Sequence, residues 1–230
     1  MEGLSVRAAA PVGHLGPLMA SHRRIVLWRH GRTSWNAEQR FQGQTDVPLD
    51  DVGMEQARMA AQFLQHLQPS RIIASDLQRA SVTAQMLADL VDLEVLRHAD
   101  LRETFAGTWE GLVRADLVRD HGEDFAKWAW DSHVRPGGGE SRVEVAERMV
   151  RTILRELDEV PEGGTLIVAT HGGAARAAIA SLLGLPTDHW SCLGVLSNCA
   201  WSVLREDSSG WRLQEYNAGS LPQPALADDR

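Results

Sequence analysis

Arg24-Ile25-Val26-Leu27-Trp28-Arg29-His30-Gly31 and Leu166-Ile167-Val168-Ala169-Thr170-His171-Gly172-Gly173 share one pattern, a short apolar run that ends in His-Gly. Apolar runs of this length read as strands buried on both faces, as in a parallel sheet covered by helices. In an open parallel sheet, ligands bind beyond the carboxyl ends of the strands. Both His30 and His171 fall on that rim. Two imidazoles delivered to one edge, each followed by Gly, point to a site rather than to two unrelated strand ends.

The segments between these runs alternate in the same sense. Asp50 and Asp51 can cap a helix whose apolar positions are Met54, Ala57, Ala61, Leu64 and Leu67, ended by Pro69. Arg71–Ser75 reads as a buried strand. Leu77, Ala80, Ala84, Leu87 and Val91 mark a second helix, and Leu93–Leu96 a third strand. Ser141 with Glu144 forms a capping box that opens a helix through Leu157. Ala174–Leu183 is a further helix stopped by Gly184 and Pro186. Ala200–Leu204 and Trp211–Glu215 bracket Ser208-Ser209-Gly210 as a hairpin. The expectation is an α/β fold, with a mostly parallel sheet, helices on both faces and one antiparallel strand from the hairpin.

The chain has 230 residues, 43% of them hydrophobic and 23% charged, which excludes a disordered or fibrous protein. Its 23 Lys plus Arg against 31 Asp plus Glu leave a net charge of −8, which argues against nucleic acid as a partner. No run has the length of a membrane span. Cys192 and Cys199 cannot form a disulfide scaffold, and a reducing cytoplasm fits them. Residues 1–21 are broken by Pro11, Gly13, Gly16 and Pro17, and read as a disordered tail or as an extension ahead of Met19. Residues 221–230 also read as a disordered tail. Residues 22–220 form one domain, in which about 112–140 is an inserted lid with Gly137–Gly139 as its hinge.

Within that domain, Arg29 is permanently charged and suited to a bidentate anion. Beside it, His30 is kept in its neutral, nucleophilic form by like charge. Gly31 clears space for a ligand to approach the backbone. Asn36 and Gln42 offer amide donors nearby. Arg79 lies in the first turn of a helix directly after the Arg71–Ser75 strand, where helix N-termini favour anions. Glu103, in a Gly- and aromatic-rich loop, is a candidate general acid, and on composition Glu110 rivals it. The other histidines lack such a context. No metal-ligand spacing occurs in the sequence.

These stretches together resemble the histidine phosphatase, or phosphoglycerate mutase-like, superfamily. The run RIVLWRHGRTSWNAEQRFQGQTDVPLDDVGMEQA resembles its signature, and SDLQRASVTA, LRETFAGTWEG and LIVATHGG resemble its later motifs in the same order. The resemblance spans about residues 23–220. It implies a three-layer α/β/α sandwich, no metal or other cofactor, and hydrolysis of a small phosphorylated metabolite through a phosphohistidine. It assigns His30 as nucleophile, Arg29, Arg79 and His171 as the phosphate pocket, Asn36 and Gln42 as its support, and Glu103 as proton donor. GGGESRVEVAER, SNCAWSVL and WRLQEYNAGSLP are similar to the glucosyl-3-phosphoglycerate phosphatases of this superfamily, where Asn198 lies near the pocket. Arg32 departs from the Glu or Gln often found there. The alternatives are a phosphoglycerate mutase and a phospho-ligand sensor without turnover. The short, sparsely basic stretch Leu112–Glu140 favours hydrolysis over mutase chemistry. A homodimer is expected by likeness.

Overall fold

Strands β1 (Arg24–Arg29), β2 (Arg71–Ser75), β3 (Val95–His98), β4 (Thr165–Thr170), β5 (Trp201–Asp207) and β6 (Gly210–Ala218) form one sheet in the order β3-β2-β4-β1-β5-β6. The computed structural model describes residues 22–219, so the expected tails lie outside the described residues. β1 to β4 are mutually parallel, and β5 runs antiparallel to both β1 and β6. β5 is thus the one strand of opposite direction.

The strand pleat divides the core into two. Ile25, Leu27, Leu166 and Val168 face one side, with residues of α5 (Arg142–Leu157) and α6 (Gly172–Leu182). Val26, Trp28, Ile167 and Ala169 face the other, with α2 (Asp51–Leu64) and α3 (Gln78–Val91). Sheet and helices form the expected α/β/α layers. Asp50 caps α2 by accepting from Gly53 N at 2.7 Å, and the Ser141–Glu144 capping box opens α5.

Three boundaries move. β3 starts at Val95 rather than Leu93, because Asp92 ends α3 in the left-handed region (φ 54°) and Leu93 N still donates to Ala88 O at 3.3 Å. Leu93 is an apolar contact of a helix cap rather than a strand residue. α6 starts at Gly172, since His171 is already its extended N-cap. In the hairpin, β5 starts one residue later than expected and runs on to Asp207, and β6 is longer than expected at both ends. One helix is new. Thr33 and Asn36 form a capping box around α1 (Ser34–Ala37).

The stretch expected to be an inserted lid holds α4 (Arg114–Trp130), with non-helical dihedrals at His121. Its Leu117, Phe125 and Trp128 join Phe41, Ala106 and Trp109 in a separate apolar cluster. Gly137 and Gly139 are explained by close approach rather than as a hinge. A Cβ on Gly137 would meet Ala106 O at 2.3 Å, and one on Gly139 would meet Phe105 O at 1.8 Å. No helix among the described residues is long and apolar enough to cross a membrane.

Candidate active site

The parallel register pairs Arg29 with Thr170, so the next residues, His30 and His171, lie side by side at one rim. His30 N donates to Thr170 O at 3.0 Å, and the two ring centroids are 5.1 Å apart at 62°. Both rings are buried. Burial pushes both imidazoles well below the usual histidine range. The guanidiniums of Arg79 and Arg29 add to this at His30, and Arg79 is the largest charge contribution at His171.

The hydrogen bonds fix the tautomers. His30 Nδ1 lies 2.7 Å from Gly31 O, which can only accept. The ring proton therefore sits on Nδ1 and Nε2 holds a bare lone pair. His171 Nδ1 lies 3.2 Å from Arg79 Nε, which can only donate. Its proton is on Nε2, which donates to Ser75 Oγ at 2.9 Å.

Two buried guanidiniums flank the rings. Arg29 donates to Leu196 O at 2.6 Å, and its Nε has no partner among the described residues. Arg79 is held by Thr45 O and Gly43 O, both at 2.8 Å. That turn hangs on Glu110, which accepts from Gln44 N at 2.9 Å and Thr45 Oγ1 at 2.8 Å. Glu110, the rival to Glu103 in the sequence, thus secures the turn that positions Arg79.

Glu103 sits on the N-terminus of α6. Its Oε1 accepts from Thr104 N at 2.8 Å and Ala174 N at 2.9 Å, and its Oε2 from Gly173 N at 3.0 Å. Glu103, Arg29, Gly172 and Gly173 line one cleft. The two glycines are needed there. A Cβ on Gly172 would meet Val195 Cγ1 at 2.6 Å, and one on Gly173 would meet Glu103 Oε1 at 2.9 Å.

Asn36, Gln42 and Asn198 join the same cluster. Asn36 Oδ1 faces Thr33 N at 3.1 Å and Asn198 Nδ2 at 3.2 Å, which leaves its buried Nδ2 without a partner among the described residues. Gln42 Oε1 accepts from Thr33 Oγ1 at 3.0 Å. Asn198 spends its amide on Asn36 and on His30 O, at 3.1 Å, so it orients Asn36. Arg32 points to Asp50 Oδ2 at 2.8 Å. The expectation for Gly31 needs correction, because the group that approaches it is not a ligand. A Cβ at Gly31 would lie 2.3 Å from Gly53 O of α2.

The sequence reading missed Ser75, Glu140 and Arg148. Ser75 ends a strand on the same rim, so the strand-end rule applied to polar residues finds it. Arg148 donates to the carbonyls of Asp100, Arg102 and Glu103 at 2.6, 2.8 and 2.9 Å, and its Nε to Glu140 Oε1 at 2.9 Å. It braces the loop that carries Glu103. No local sequence signal distinguishes it from any other arginine of a polar helix face.

Buried cations, an Arg29 N–H and an Asn36 amide unpartnered among the described residues, and a helix N-terminus give this rim the donors that a tetrahedral oxyanion needs. Known proteins are similar to this chain in sequence and fold. The family model of the histidine phosphatase superfamily (branch 1) matches residues 25–219. A glucosyl-3-phosphoglycerate phosphatase of Mycolicibacterium vanbaalenii is 38% identical over 217 residues, 86% of this chain and 96% of the relative. A solved mycobacterial glucosyl-3-phosphoglycerate phosphatase, in complex with VO3, superposes with a TM-score of 0.82 at 39% identity, over 86% of this chain and all of that one. Phosphoglycerate mutase-like protein 4 of Arabidopsis thaliana is 39% identical over 161 residues, 68% of this chain and 69% of its own. The chain belongs to the histidine phosphatase superfamily.

Proposed function

We propose that the chain hydrolyses phosphomonoesters through a phosphohistidine at His30, with glucosyl-3-phosphoglycerate, the compound named for its relatives, as substrate. The observation that carries this reading is the tautomer of His30. Gly31 O holds the proton at Nδ1, so the Nε2 lone pair is available in a cup of positive charge. His30 Nε2 attacks phosphorus, the P–N bond forms and the P–O bond to the leaving alcohol breaks. Glu103 gives a proton to that oxygen as general acid. As carboxylate it then takes a proton from water, whose oxygen attacks phosphorus while the P–N electron pair returns to Nε2. Arg29, Arg79 and Asn36 hold the equatorial oxygens, joined by His171 when its Nε2–H turns from Ser75 Oγ to the phosphate, and preorganised charge there lowers the barrier. Gln42 keeps Thr33 and Asn36 in place.

The test is rapid acid-free quenching with a radiolabelled phosphomonoester, followed by mapping of the label. Label on His30, lost in His30→Ala together with turnover, supports the reading. Full turnover in His30→Ala overturns it. Conversion of 3-phosphoglycerate to its isomer without release of phosphate would assign a mutase, and binding of phosphate with no turnover of any ester would assign a sensor.

A further inference from the structure

The cleft above Arg29 and Glu103 has a second wall, built by Phe41, Trp128 and Arg142. Arg142 is the first residue of α5, directly after the Ser141 cap, and only 5% exposed. Its guanidinium carbon lies 4.2 Å over the centre of the Trp128 ring, and its Nη1 donates to Trp128 O. Trp128 in turn stands edge-on to Phe41, with centroids 5.4 Å apart. The indole Nε1 of Trp128 is buried and has no hydrogen-bond partner among the described residues. A buried N–H is normally paired, so an orphan in a cleft wall marks a place where an acceptor arrives with a ligand.

We infer that this wall is a second anion subsite, which takes a carboxylate of the same molecule whose phosphate occupies the cup at Arg29 and His30. The inference rests on the phosphatase reading and assigns the residues that meet the carboxylate of the proposed substrate. Charge and donor counts select a carboxylate over a second phosphate. The phosphate cup assembles two guanidiniums and an amide around the Nε2 of His30. The second wall offers one guanidinium and one neutral N–H, which match a single negative charge on two oxygens. The aromatic ring beneath Arg142 holds its guanidinium plane and limits the loss of side-chain freedom on binding.

The experiment compares kcat/KM for glucosyl-3-phosphoglycerate and 3-phosphoglycerate with that for glycerol 3-phosphate and p-nitrophenyl phosphate. The wild type is expected to favour the carboxylate-bearing esters. Arg142→Met should reduce that preference about 10- to 100-fold, through KM, in line with loss of a charged hydrogen bond. Arg142→Lys should recover part of it. Trp128→Phe keeps a ring and removes the N–H, and should reduce the preference about 3- to 10-fold. It also serves as the second probe should Arg142→Met not fold. A wild type without preference, or variants in which all four esters slow by the same factor, would overturn the subsite and leave Arg142 as a strut between α4 and α5. If p-nitrophenyl phosphate still turns over through labelled His30 in that case, the phosphatase reading stands alone. If no ester labels the protein, both readings fall.

Discussion

Gly173→Ala isolates the work of Glu103 without touching it. The new Cβ would lie 2.9 Å from Oε1 and 3.4 Å from Oε2, and ordinary contact begins near 3.4 Å. Something must retreat by about half an ångström. The backbone at Gly173 is helical, and the obstructing atom is the free end of a flexible side chain. The fold therefore accepts the methyl and the carboxyl moves. Ala in place of Gly also favours the helix by up to about 1 kcal/mol. Stability and activity should thus separate. A misplacement of 1 Å at a reacting group costs about 10²-fold, so half of that predicts a loss of about 10-fold. The loss should appear with alkyl phosphates, whose leaving oxygen needs a proton. With p-nitrophenyl phosphate, a good leaving group, it should be about 2-fold or less. The assay is kcat/KM for both ester types beside the melting temperature. Equal losses on both esters at an unchanged or raised melting temperature would remove Glu103 from the role of proton donor.

Three further outcomes follow from the same geometry. Arg148→Met removes the donors that hold the carbonyls of Asp100, Arg102 and Glu103. It should lower kcat on alkyl phosphates about 10-fold with KM nearly constant, with partial recovery in Arg148→Lys; a loss that is the same for p-nitrophenyl phosphate would mean that Arg148 does not act through Glu103. Gly31→Ala drives a Cβ to 2.3 Å from Gly53 O, backbone against backbone, where neither side can retreat alone. It should cost about 1–3 kcal/mol or more by denaturant titration, and an unchanged midpoint would contradict the close contact. His30 and His171 are buried neutral, with pKa values below the ordinary 6.5. Between that value and the folded pKa the unfolded chain binds more protons, so stability rises with pH there. Their contribution is complete above about pH 6.5 and is lost as pH falls, by up to about 1.4 kcal/mol per pH unit for each ring. Chemical denaturation at steps from pH 7.5 to 5 should show the decline begin near 6.5; a plateau over that whole range would mean that the rings are not buried in neutral form.

What the sequence made legible was the part of the site that a parallel sheet generates by itself. Arg29 ends a buried strand, His30, His171 and the first turn holding Arg79 each follow one, and parallel register then brings strand ends together without further information. β3 was misplaced by two residues because Leu93 is apolar for a helix cap and not for a strand, a distinction set by the left-handed Asp92 rather than by hydrophobicity. The long-range bonds were illegible for another reason. Glu103 and Glu110 stand in the same loop with the same chemistry. Only the fold shows that one carboxylate reaches Gly173 and Ala174, some 70 positions away, while the other ties down the turn under Arg79. Arg148 reaches Glu103 across 45 positions from the polar side of a helix.

Those distant bonds also tie the proposed acid and the proposed nucleophile into one device. Glu103 is bound to the first turn of α6, and the N-cap of that helix is His171. His171 is bound through Arg79 to the turn at Gly43 and Thr45, and that turn is bound to Glu110 in the loop that carries Glu103. The circuit closes on itself. A displacement of the α6 N-terminus therefore moves Glu103, the second imidazole and one guanidinium together, while His30 stays with β1. The spacing between His30 and Glu103 is accordingly set chiefly by the contact of β1 with β4, whose register is fixed by a ladder of six residue pairs from Arg24 to Arg29. A slip of that ladder by one residue would turn every core side chain of β1 to the wrong face. The core that stabilises the sheet thus also sets the distance on which the proposed phosphoryl transfer depends.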